Sequence, residues 1–171
     1  MMLTSLLFSS VSLAADSNDS LQVRMDEAVV YCSVQLQKAA KDRFLAPMQN
    51  GLAVTVVWNI QVSKQREYWL DERVADISVE RRVEPDLLTH SWLLVNVSNG
   101  ISLRIHDIRL VMDFLTHLKQ FPMLDRSLLL ADTTYRANVD VNIHIGEQND
   151  AWWAELWPSS VASMQQSFTL P

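Results

Sequence analysis

Apolar and polar residues alternate over several long stretches of this chain. Val30, Cys32, Val34 and Leu36 are separated by Tyr31, Ser33 and Gln35, a period of two that predicts a strand. The most regular run is 52–63. Leu52, Val54, Val56, Trp58, Ile60 and Val62 fall on one side, and Ala53, Thr55, Val57, Asn59, Gln61 and Ser63 on the other. Such a strand buries one face and leaves the other mostly wet. The pattern predicts extended chain again over 66–84, but the apolar phase slips between Tyr68/Leu70 and Ala75/Ile77/Val79. A bulge or bend near Asp71-Glu72-Arg73 accounts for a slip of one residue. Ser91–Val97 reads as a strand. Asn99-Gly100 then supplies residues that tolerate positive φ in a hairpin turn, and Ile101 and Leu103 return. In the last regular run, Tyr135, Ala137, Val139, Val141, Ile143 and Ile145 face in, with Arg136, Asn138, Asp140, Asn142 and His144 facing out.

Two stretches carry the helical period instead. Ala40, Phe44 and Met48 recur every four residues and predict a helix that ends near Asn50-Gly51, with Pro47 an awkward member. Asp107 is a good N-cap for Ile108, Val111, Met112, Leu115 and Leu118, and Pro122 sits just past the expected stop. The order is strand, helix, three or four strands, helix, strand. Hairpins dominate and no βαβ repeat is visible. The expected fold is therefore α+β: an antiparallel, hairpin-rich twisted sheet with two helices packed on it.

The first residues change the picture of where this domain works. Leu3 to Leu13 is mostly apolar and uncharged, and Ser12-Leu13-Ala14 offers a small-residue cleavage site. The run is too short to cross a bilayer, which takes about 20 residues. Residues 1–14 are thus expected to be a signal peptide and 15–20, Ala-Asp-Ser-Asn-Asp-Ser, a polar linker. Residues 21–171 are expected to form a single globular domain outside the cytoplasm. A chain of 171 residues, 49% apolar, has enough apolar surface for one core. The net charge of −6 speaks against nucleic acid and anionic membrane surfaces as partners.

Candidate chemistry is sparse. With only three glycines, Gly51, Gly100 and Gly146, the chain has no phosphate-cradling glycine loop. His90, His106, His117 and His144 form no metal-binding pair; His106 and His117 would stand about 16 Å apart along a continuous helix. Cys32, the sole cysteine, has apolar neighbours and is expected to be a buried, inert thiol. The scattered acids Asp71, Glu72, Asp76, Glu80, Glu84 and Asp86 read as a solvated sheet face, with Glu80 paired to Arg81 or Arg82. The expectation is a protein without metal, nucleotide or covalent cofactor.

Two aromatic groups are less ordinary. Arg66-Glu67-Tyr68-Trp69-Leu70-Asp71 sets two aromatics between charges, directly after the best-defined strand. Its residues could be core aromatics with Arg66 snorkelling out. They could also be a partner-binding surface of Arg66, Tyr68, Trp69 and Asp71, since Trp, Tyr and Arg are the types that carry interface energy. Near the C-terminus, Trp152, Trp153 and Trp157 stand beside Asp150 and Glu155. They could cover an open edge of the core, dock a partner, or touch a membrane interface.

Taken together, Asn50-Gly51-Leu52, Trp58-Asn59-Ile60, Arg66 to Asp71, Leu88-Thr89-His90-Ser91-Trp92 and Tyr135 resemble a group of exported bacterial proteins, domain of unknown function 4390. The resemblance spans roughly residues 25 to 157. Trp92 stands where tyrosine is usual, and Ile143-His144-Ile145-Gly146 replaces the expected Leu-Asp and Leu-Pro pairs. The resemblance implies no catalytic residues. Because such proteins are often encoded beside a membrane-bound sensor histidine kinase, it implies a periplasmic accessory role. Three function classes follow: a non-enzymatic interaction protein, a carrier of a lipid or other apolar ligand held between helix and sheet, and an enzyme of unrecognised type.

Overall fold

The computed structural model describes residues 19–146 and 160–170. The expected signal peptide, nearly all of the linker, and Trp152, Trp153 and Trp157 lie outside these residues. The elements run β1 (Ser20–Met25), β2 (Val29–Gln35), α1 (Lys38–Gln49), β3 (Val54–Lys64), β4 (Glu72–Asp86), β5 (Ser91–Asn96), β6 (Ile101–Ile105), α2 (Ile108–Thr116), β7 (His117–Asp125), β8 (Thr134–Ile145) and β9 (Ser160–Thr169). A single 3₁₀ turn, Arg126–Leu128, follows β7.

All strand pairs are antiparallel, in two sheets. One has the order β1-β2-β7 and the other β6-β5-β4-β3-β8-β9. The fold is α+β as the pattern implies, with its strands divided between two sheets.

The alternation along β3 explains the core. Val54, Val56, Trp58, Ile60 and Val62 are all buried, as are Ala137, Val139, Val141 and Ile143 on β8 and Val79 and Val83 on β4. Val30, Cys32 and Val34 of β2 belong to the same cluster, as do Phe44 and Met48 of α1 and Val111, Met112 and Leu115 of α2. The opposite face of β3 and β8 carries Asn59, Gln61, Asn138, Asp140 and Asn142, all half-buried.

Helix α1 carries Pro47 in its last turn, where it removes one amide hydrogen bond and little helix remains beyond it to be disrupted. Gly51 follows at φ +78°, the left-handed conformation that ends helices, and a Cβ there would come within 3.0 Å of Leu87 Cδ1. Helix α2 starts where expected, with the Asp107 side chain accepting from the Arg109 amide at 2.9 Å.

Four expectations need correction. Residues 65–71 do not continue a strand: they form the tip of the β3–β4 hairpin. The bulge lies a little later, at Val74, where the pairing passes from Val62–Ala75 to Ser63–Arg73. Helix α2 ends at Thr116, so Leu118 and Pro122 lie in β7, on a strand that lacks clean alternation. Arg81 and Glu80 are no surface pair. The residue opposite Val56, Arg81 points inward and donates to the carbonyls of Phe114 (2.8 Å) and His117 (2.6 Å), which end α2. Its guanidinium also lies 4.9 Å over the Phe114 ring. Burial pulls the Arg81 pKa down, opposed by Asp113. Arg82, on the other face, pairs with Glu84 at 2.9 Å.

Candidate functional site

Strands β3 and β8 end together, Lys64 opposite Tyr135, and the Gln65 amide then donates to the Thr134 carbonyl at 3.0 Å. The sheet thereby fixes the base of the hairpin tip. Two ion pairs brace it from the sides. Arg66 bonds Glu72 across the tip, and Asp71 accepts from Arg136 of β8 at 3.4 Å. Both are exposed enough to contribute little stability, so their effect is to orient the loop. Between tip and sheet lies an open polar hollow of about 630 Å³, bordered by Lys64, Glu67, Asp71, Asp132, Thr133 and Arg136. Charges of both signs line it.

Beyond this polar base, the tip is apolar and bare. Tyr68 is 88% exposed, Trp69 80% and Leu70 92%. Three consecutive large apolar residues held away from the core exclude the core-aromatic alternative for this segment. Of the residues singled out in the sequence, Arg66, Tyr68, Trp69 and Asp71 lie together on this tip. Leu70 belongs with them; its place in a plain apolar phase hid it. Trp152, Trp153 and Trp157 fall outside the described residues.

A second feature stands at the other end of β4. Leu88-Thr89-His90 lies in the β4–β5 turn, just before Ser91 opens β5; Leu88 is almost fully exposed and His90 takes φ +51°. Asp86 ties the turn together: its carboxylate accepts from the Leu88 and Thr89 amides and from Arg104 of β6 at 2.9 Å. The Ser91 hydroxyl, itself buried, bonds Thr89 Oγ1 at 2.7 Å and Arg104 at 3.0 Å. The Thr89 side chain and amide, then Arg104, hold the Asp86 pKa down at about 2. Beside this turn, a largely apolar cleft of about 520 Å³ opens between α1 and the turn, lined by Leu45, Met48, Pro85, Leu87, Trp92 and Ile108.

Neither place assembles a reactive constellation. Among the described residues no three His, Cys, Asp or Glu side chains stand close enough to share a metal ion. Cys32 is fully buried, and burial pushes its thiol up to about 12. Tyr135 is structural: its hydroxyl accepts from the Leu130 amide at 2.9 Å and its ring stacks on Phe168 at 5.8 Å. No helix among the described residues is long and apolar enough to cross a membrane.

What remains is a class defined by shape: a two-sheet antiparallel α+β domain that presents an apolar hairpin tip at one end and an apolar cleft at the other. The model for a domain of unknown function, DUF4390, matches residues 17–151, and the chain belongs to this family. None of the curated proteins matches the chain, and none of the solved structures does.

Proposed function

We propose that this is an exported, periplasmic interaction protein, not an enzyme, and that it docks a protein partner through the β3–β4 tip. The observation that carries the reading is the exposure of Tyr68, Trp69 and Leu70 on a tip whose base is pinned by the sheet. Exposed apolar clusters of this kind mark interaction sites, and Tyr and Trp lose little side-chain entropy when they bind. Glu67 and Asp71 on the tip and a net charge of −6 favour a protein over an anionic bilayer. The family's frequent gene neighbour makes the periplasmic region of a sensor histidine kinase the first partner to try.

Site-specific photocrosslinking in the native cell envelope tests this. A photoreactive residue at position 68 or 69 is expected to give one defined protein adduct, lost on Leu70→Asp. The same probe at exposed Ser78 is expected to give none. Absence of an adduct from the tip, or the same adduct from position 78, refutes the reading.

The apolar cleft supports a second reading, carriage of a lipid or similar ligand. Protein purified without detergent would then release an apolar compound near stoichiometry on organic extraction, and Met48→Glu would release none. A wild-type extract free of such a compound sinks this reading.

A further inference from the structure

Sheets present unpaired backbone groups at their edges, and native proteins blunt them. Three of the four described edges here are blunted. β1 lies beside β9, and the Val23 amide of β1 is taken by the Gln166 side chain of β9 at 2.8 Å. β7 carries Pro122, exposed Lys119 and a positive φ of 43° at Gln120. β6, the outer strand of the six-stranded sheet, has no proline and no register shift against its neighbour.

Its side chains are also wrong for a solvated edge. Leu103 lies opposite Leu94, which lies opposite Val83, so Ile101, Leu103 and Ile105 share the core-facing side of the sheet. Yet Ile101 is 64% and Leu103 61% exposed. The one charge on β6, Arg104, is on the other face and already bound to Asp86.

The hydrogen bonding fixes which backbone groups are free. The Val97 amide donates to Glu80 of β4 at 3.0 Å, so odd-numbered residues of β5 bond β4 and even-numbered ones bond β6. Those even residues face Ile101, Leu103 and Ile105. Ser102 and Arg104 therefore direct their amides and carbonyls outward, away from the sheet.

We propose that β6 is a self-pairing edge, and that a second copy of this chain adds to it antiparallel about a two-fold axis at Leu103. In that register Ser102 exchanges backbone hydrogen bonds with Arg104 of the second copy, matching the outward groups. Leu103 meets its own symmetry mate, and Ile101 meets Ile105, closing one apolar row across both copies. No like charges meet, because each Arg104 faces a serine. Symmetric self-complementarity of this kind is what an isologous dimer requires. A five-residue ladder is a small interface, so the association is expected to be weak and reversible.

Sedimentation velocity of the full chain, from about 5 to about 300 µM, reads the association directly. The expected result is a concentration-dependent shift to twice the monomer mass. Leu103→Lys sets two cations face to face, and Ser102→Pro removes an outward amide that β5 does not use; each is expected to weaken dimerisation at least tenfold while keeping a cooperative melt. The register has its own readout. Directly opposed residues of this non-hydrogen-bonded type have Cα atoms about 4.5 Å apart, inside the disulfide range. Leu103→Cys is expected to oxidise to a covalent dimer, whereas Ser102→Cys, two residues out of register with its mate, is not. A monomer over the whole range overturns the proposal. So does a dimer indifferent to both edge variants, or equal cross-linking at 102 and 103.

Discussion

Replacing a tryptophan on the tip and one in the core should have opposite consequences, and the structure sets the size of each. Trp69 is 80% exposed, so about a fifth of its surface is covered. A tryptophan side chain presents roughly 250 Å², so Trp69→Ala uncovers about 50 Å². At about 25 cal/mol per Å² that is about 1 kcal/mol, an upper bound because unfolded chains already bury some apolar surface. Trp58 is fully buried in the core. Trp58→Ala removes the whole side chain and leaves a cavity, a change that costs about 3–5 kcal/mol. For a domain of this size 1 kcal/mol moves Tm by about 2–4 °C, so Trp69→Ala should shift it by less than about 4 °C and Trp58→Ala by about 6–20 °C. Trp58→Phe refines the comparison. The Trp58 indole N–H is buried with no partner among the described residues, so the smaller ring discards an unmet donor along with some volume, and a loss below about 1.5 kcal/mol is expected. Thermal and urea melts followed by circular dichroism give all three values. If Trp69→Ala destabilises as much as Trp58→Ala, the tip is packed and the docking argument fails with it.

Arg81→Met should cost about 3 kcal/mol, because two charge-assisted bonds to the end of α2 are lost, and Arg81→Lys should rescue only part of this, since an ammonium can donate to both carbonyls but loses the planar guanidinium contact over Phe114; urea melts decide this. Folding holds the Asp86 carboxyl at about 2, below its ordinary range, so the turn's contribution is complete above about pH 4 and disappears as pH falls through about 2. Asp86→Asn should therefore remove that acid limb from a series of melts between pH 2 and pH 5, and an unchanged limb refutes the assignment. Cys32, buried and raised to about 12, should ignore thiol reagents at neutral pH until denaturant is added; rapid labelling of native protein would contradict its placement. Edman sequencing of protein from its native host should begin at Ala15, and an intact Met1 in the cytoplasm would defeat the export proposal.

The parts of the fold legible in the sequence are those where one period dominates. β3 and β8 bury one face against the core and wet the other, so their alternation marks them within two residues. Where two influences compete, the reading drifts. β7 begins directly at the end of α2, and Leu118 continues the helical spacing of Leu115 by chance of position; it is buried as a strand residue, opposite Val34 of β2 in the three-stranded sheet. β1 and β9 lie beside each other at the sheet edges, so half their residues stay exposed and their patterns are faint. Arg81 shows the same limit for side chains. Its charge suggests solvent, but strand parity puts it on the inner face, and it is tolerated there because the last carbonyls of α2 need donors. The aromatic pair at 68–69 was visible as a composition. Its exposure was not, because only the paired ends of β3 and β4 show that residues 65–71 are a turn.

The residues that carry the family resemblance do not converge on one place. Arg66 to Asp71 sits at the start of β4 and Leu88 to Trp92 just past its end. The fifteen-residue strand between them is roughly 45 Å long. Its middle is fixed by Val79 and Val83 in the core and by Arg81 clamped onto α2, so small movements at one end are absorbed before they reach the other. The tip and the turn should therefore behave as independent sites. Ser91→Ala removes a buried hydroxyl bonded to Thr89 and Arg104 and should cost about 1 kcal/mol on its own. Combined with Trp69→Ala, the two losses should add within about 0.5 kcal/mol, as separations well beyond 10 Å predict. Partner capture should obey the same rule, responding to the change at 69 and not to the one at 91. A coupling above about 1 kcal/mol, or loss of tip capture in Ser91→Ala, would mean that β4 transmits between its ends, and the tip could no longer be treated as a docking element in its own right.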